Sequence, residues 1–215
     1  MKQLPLIVLI AATACASATA TPPSTTPAPS GDGDPVALAD SIRNSYTDAD
    51  VEFMTGMIHH HAQALVMARM APTHGASATI QTLTGRIING QNDEIAIMQR
   101  WLRDRGQPVP DPEAMSGHAM HGGDHALMPG MLTAEQLAEL DAARGPDFDR
   151  LFLTFMIQHH QGALTMVNQL FDTYGAAQGD AIFKIASDIG ADHTSEIDRM
   201  QTMLRAMVFG TPGSS

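Results

Sequence analysis

The chain holds ten histidines and fifteen methionines but a single cysteine. Phe53, Met57, Ile58, His60 and His61 follow the same spacing as Phe152, Met156, Ile157, His159 and His160. Two further segments carry Gln91-x-x-Glu94 and His193-x-x-Glu196. Side chains three or four apart share a helix face, so His193 and Glu196 can converge on one point. A histidine pair can converge in the same way with the methionine beside it, Met57 or Met156. Imidazole, carboxylate and thioether together form a copper-type ligand set. Imidazole suits divalent copper and zinc, whereas thioether selects monovalent copper. A structural alternative stands beside this: a buried His–Glu hydrogen-bond layer that fixes helix register, with methionine as core filler. The metal reading gains from recurrence, because a histidine pair and a partner glutamate appear at the same place in both halves.

A second group of donors lies between the halves. Residues 115–131 hold Met115, His118, Met120, His121, His125, Met128 and Met131 among several Gly and Pro. Methionine gains little from exposure in a Gly-rich loop, and short His-rich tracts commonly bind metal. The segment therefore reads as a soft-metal capture arm. His59 faces Gln158 in the repeat and sits off the apolar stripe, so it reads as surface. His74 lies in a turn and reads as solvated.

The elements that must position these residues form an internal repeat. The segment from Asp50 to Met67 aligns with Asp149 to Met166 at an offset of 99, and Gln91–Met98 aligns with His193–Met200 at 102. Phe53, Met57, His60, Ala64 and Met67 follow a 4-3-4-3 spacing, as do Phe152, Met156, His159, Ala163 and Met166, which is helical periodicity with a broad apolar face. Ile87, Gln91, Glu94, Met98 and Trp101, and Ile189, His193, Glu196, Met200 and Met203, behave likewise. Thr47 or Asp48 can cap the first long helix and Asp147 the third; Thr133 to Gln136 has capping-box spacing. Pro72 and Gly75, and later Gly175 and Gly179, mark the hairpin turns. The expected fold is an all-α four-helix bundle of two repeated hairpins with a long Met/His-rich connector. Its single domain spans 41–209, with repeat A at 47–105, the connector at 106–132, repeat B at 147–208 and a tail at 210–215.

The first twenty residues read as an export signal, with Lys2 followed by a short apolar run. Two cleavage sites compete. Ala18-Thr19-Ala20 fits ordinary cleavage, and Ala11 to Cys15 resembles a lipobox that would place a lipid on Cys15. Residues 21–40, rich in Pro, Thr and Ser, then form a tether. A formal charge of −11 without a basic stripe argues against nucleic acid as partner. One cysteine excludes a disulfide framework and a thiolate zinc site. Phosphate loops, nucleophile elbows and His-Glu-x-x-His are absent from the sequence, and a di-iron site would want Glu-x-x-His rather than the inverted order seen here. No catalytic residue is therefore expected.

The pattern Asp-x-x-Phe-x-x-x-Met-Ile-x-His-His-x-x-Ala-Leu-x-Met, present twice, resembles the bacterial family called domain of unknown function 305, and Gln91 to Leu102 fits the same family. The resemblance implies a ferritin-like four-helix bundle, export, and copper association through Met57, His60, His61, Met156, His159 and His160. The second half departs from the family pattern at His193, where Gln is usual, and at Met203, where Trp is usual. Together these readings describe an exported, lipid-anchored copper-binding protein of the periplasm or cell envelope, for sequestration, storage or handover of monovalent or divalent copper. Its expected metal ligands are Met57, His60, His61, Glu94, Met156, His159, His160, His193 and Glu196 in the bundle, besides the connector donors. Its expected partners are the metal ion and a copper-handling envelope protein, with membrane contact only through the lipid anchor. The rival expectations are a metal-dependent oxidase and a partner-binding envelope module without metal.

Overall fold

The computed structural model describes residues 45–112 and 128–210. Five helices and no strand occur among them: α1 Asp48–Met70, α2 Ala78–Asp104, α3 Ala134–Ala142, α4 Gly145–Asp172 and α5 Asp180–Phe209. The four long helices are two antiparallel hairpins, α1–α2 and α4–α5. The short α3 packs on α1 and α4.

Local chemistry sets the starts. Thr47 caps α1: its hydroxyl accepts the Asp50 N–H at 3.3 Å while Asp50 accepts the Thr47 N–H at 2.7 Å. Thr133 and Gln136 repeat this box at α3, at 3.2 and 3.0 Å. Asp147 is not the cap of α4. That helix begins two residues earlier, at Gly145, with Pro146 in its first turn. The cause is tertiary: Gly145 takes a φ of 56°, and its N–H donates to the His74 carbonyl at 2.9 Å. Asp147 sits inside the first turn, where its charge faces the positive end of the helix.

The core divides into two apolar clusters. One joins the start of α1, the end of α2, the end of α4 and the start of α5, with Phe53, Met57, Leu102, Val167 and Ile182. The other joins the opposite ends, with Met67, Ile80, Phe152, Met156 and Met200. Hence α1 and α4 run antiparallel, as do α2 and α5, and the two repeats are related by an approximate two-fold. His60, His61, Gln91, His159, His160 and His193, all buried, form a polar belt between the clusters, with Glu94 and Glu196 at its edge.

The hairpins clamp one another by matching residues. The buried Asp50 carboxylate accepts the Ala177 N–H at 2.7 Å, in the α4–α5 turn. Its repeat mate Asp149, also buried, accepts the Ser77 N–H at 3.2 Å, in the α1–α2 turn. Charge-assisted bonds of this kind satisfy a buried carboxylate and hold each turn on the other hairpin.

Candidate metal centre

Two His–Glu dyads sit in the belt, one per hairpin. His61 Nε2 lies 2.6 Å from Glu94 Oε2, and His160 Nε2 lies 2.6 Å from Glu196 Oε2. Both histidines are fully buried, while the Glu94 and Glu196 side chains are 17% and 26% exposed. Each imidazole N–H donates to a carboxylate that still reaches water.

The neighbouring histidines, His60 and His159, have different partners. His60 Nε2 donates to the Pro129 carbonyl at 2.9 Å, and His159 Nε2 donates to the His60 carbonyl at 2.9 Å. Their rings lie 3.8 Å apart. Burial, helped by the nearby His61, pushes the His60 pKa down to about 3 against the pull of the Pro129 carbonyl. Burial, then His60, holds His159 well below the ordinary value. Both are neutral side chains whose Nε2 protons are committed to backbone.

His193 completes the belt. It is 1% exposed, and neither ring nitrogen has a hydrogen-bond partner. Its ring lies 4.3 Å from that of His160 and 5.3 Å from that of His61. Burial, then His160 and His61, holds its pKa well below the ordinary value; the Ile189 carbonyl opposes this but is too poorly placed to bond. His61, Glu94 and His193 each bring one ligand atom, all within 4.8 Å of one another. A buried polar atom without a partner costs about 1–3 kcal/mol. His193 bears this cost twice, which makes it the clearest sign of a group the belt is built to receive. Two imidazoles and a carboxylate suit a borderline divalent cation.

A cleft of about 170 Å³ between α2 and α5 opens onto the belt, lined by Gln91, Glu94, His193 and Glu196. Asp192 lines the same cleft, and its carboxyl pKa is raised by partial burial and then by Glu94 and Glu196. Gln91 is 2% exposed with neither amide atom bonded.

Other residues singled out in the sequence fall elsewhere. Met57 and Met156 are fully buried, one in each apolar cluster. Met128 and Met131 are half-buried at the end of the connector. Met115, His118, Met120, His121, His125 and Cys15 lie outside the described residues, as do the signal segment and the tether. His74 is not solvated. It is 6% exposed, its Nδ1 lies 2.8 Å from the Met70 carbonyl, its Nε2 lies 3.0 Å from the Asp141 carbonyl, and its ring packs 5.1 Å from that of Phe148. Nor is His59 a plain surface residue. It is half-buried, with an unbonded Nδ1 and a pKa lowered by burial, because α1 is flanked by α2, α3 and α4.

Sequence reasoning missed the seat of the connector. Gln63 brackets Leu132, accepting its N–H at 2.7 Å and donating to its carbonyl at 3.0 Å. A Cβ on Gly162 would stand 1.9 Å from the Pro129 carbonyl oxygen, so only glycine lets the chain cross α4 there. The one available signal was a glycine in the middle of a long helix.

Fold and belt together define an all-α four-helix bundle with a histidine- and carboxylate-bearing centre. The chain belongs to the family described as Domain of unknown function (DUF305), which matches residues 50–204. A DUF305 protein from Streptomyces coelicolor superposes with a TM-score of 0.62 at 23% identity, covering 74% of this chain and 94% of that one. A DUF305 fragment from Deinococcus radiodurans gives 0.62 at 29% identity, covering 74% and 97%. CopM in its Cu(II)-bound form gives 0.57 at 29% identity, covering 73% and 95%; CopM is also known in Cu(I)-bound, Ag-bound and apo forms. No curated protein matches the chain significantly.

Proposed function

We propose that this chain binds copper at the bundle centre through His61, Glu94 and His193, and that it sequesters the ion in the cell envelope and hands it on. The observation that carries this reading is the triad of two buried histidines and the part-exposed Glu94, whose third member, His193, has neither ring nitrogen hydrogen-bonded. The donor set lacks thioether, so the centre favours divalent copper. Zinc has the same ligand tastes but lower affinity for a given nitrogen and oxygen site. The cleft beside Glu94 gives the ion a path to solvent, which a delivery protein needs. Likeness to CopM, known with copper and silver bound, supports the choice of metal.

In this reading the chain is a carrier and not an oxidase. Residues 115–131 act as the capture arm for monovalent copper, and the export signal with Cys15 places the bundle outside the cytoplasm on a lipid anchor. The receiving partner is a copper-handling envelope protein.

The test is a copper(II) titration of the full chain against a variant carrying His61→Ala, Glu94→Gln and His193→Gln. The variant should bind one ion fewer. Equal binding would return the belt to a purely structural layer. Addition of monovalent copper under air separates carrier from oxidase, since only an oxidase would accelerate its reoxidation.

A further inference from the structure

We infer that the bundle centre is a one-ion site made on a two-fold scaffold, and that His193 is the residue that completes one half and leaves the other short. The inference rests on the metal-binding reading above and adds to it the number of ions and the residue that sets that number.

The two halves are chemically parallel. The repeat maps His61 onto His160, Glu94 onto Glu196 and Gln91 onto His193. Both dyads have the same 2.6 Å contact. In each half the third donor must come from the other hairpin. For the α1–α2 dyad that donor is His193, on α5, and its ligand atom lies within 4.8 Å of those of His61 and Glu94. For the α4–α5 dyad the equivalent donor is Gln91, on α2, buried, unbonded and lining the same cleft as Glu196. An amide offers one neutral oxygen and no basic nitrogen, a poor match for copper or zinc beside imidazole. Among the described residues only the first half forms a three-donor group; the second stops at two. His193 also lies beside His160, with ring centroids 4.3 Å apart, yet among the described residues His160, Glu196 and His193 do not form a three-donor group as His61, Glu94 and His193 do.

The scaffold therefore has a latent second site that one substitution should open. Gln91→His would give the second half its own imidazole and raise the copper(II) count of the full chain by one. His193→Gln would make both halves dyads and lower the count by one. Because each result is a difference from wild type, ions held by the connector cancel. Counting is by double-integrated EPR of bound copper(II), with thermal unfolding as the folding control. Should the larger ring at position 91 prevent folding, Gln91→Glu adds a charged oxygen donor in the same volume and is expected to gain the same ion. If His61→Ala lowers the count but Gln91→His and Gln91→Glu leave it unchanged, the inference fails while the metal reading stands. If His61→Ala and His193→Gln both leave the count unchanged, the metal reading itself is wrong.

Discussion

His60 and His159 differ from His61 and His160 by one position on the helix and by everything else. One residue is a rotation of 100° on an α-helix, enough to move a side chain from one neighbour to the next. His60 and His159 point their Nε2 protons at carbonyls, and so pin the connector to α1 and α4 to α1. His61 and His160 face carboxylates at the edge of a solvent cleft. Each His-His pair thus joins a fastener to a histidine held by a carboxylate, and in the proposed reading only His61 of the latter becomes a ligand. A carbonyl fixes the proton on the ring. A carboxylate can instead share a cation with it once the proton leaves.

Acid should have the largest effect, because the fasteners must stay neutral. A histidine whose folded pKa is depressed contributes stability that is complete above the unfolded value of about 6.5 and drains away as pH falls toward the folded value. For His60, held at about 3, the loss between pH 6.5 and pH 5 is about 2 kcal/mol. His159 and His193 shift the same way and add to it. Denaturant midpoints of the metal-free protein should fall steeply between pH 7.5 and pH 5. Equal midpoints would deny that the belt is buried and neutral.

Next in size is the double substitution His60→Ala with His159→Ala. It removes both carbonyl contacts and opens the polar layer, and should cost about 3 kcal/mol while sparing the proposed copper site. His61→Ala should do the reverse, abolishing copper binding at the centre with a smaller loss of stability. If both variants lose copper equally, the division of labour is wrong.

The smallest expected effects come from the two turn clamps. Asp149→Asn should cost about 1–2 kcal/mol by weakening the charge-assisted bond to the Ser77 N–H, as read from denaturant midpoints. Asp50→Asn should cost more, since Asp50 accepts the Ala177 N–H and also the Thr47 N–H that starts α1. Copper affinity should stay unchanged in both.

Much of this architecture was legible in the sequence. The 4-3-4-3 stripes and the offset of 99 gave two hairpins, and polar residues on apolar stripes marked the belt, because buried polar groups are rare unless paired. The roles within the belt were not legible. Whether His60 or His61 meets a glutamate depends on how far each helix is rotated against its neighbours, which spacing along one helix does not reveal. His74 looked solvated because its partner Asp141 lies far along the chain. The cap at Asp147 failed for a similar reason, since a bond from Gly145 to His74 starts the helix early. The aspartates at the head of each repeat were visible as a matched pair, but their bonds to Ala177 and Ser77 cross between hairpins.

Copper held by two imidazoles leaves a spectroscopic signature. The most direct measurement is pulsed EPR of the full chain loaded with substoichiometric copper(II), read for coupled imidazole nitrogens. Two imidazoles are expected in wild type; this two-nitrogen signal should vanish in His61→Ala and in His193→Gln, which lose the central ion, and persist in the His60→Ala, His159→Ala protein. A wild-type spectrum that neither His61→Ala nor His193→Gln alters would contradict the claim and place the copper elsewhere.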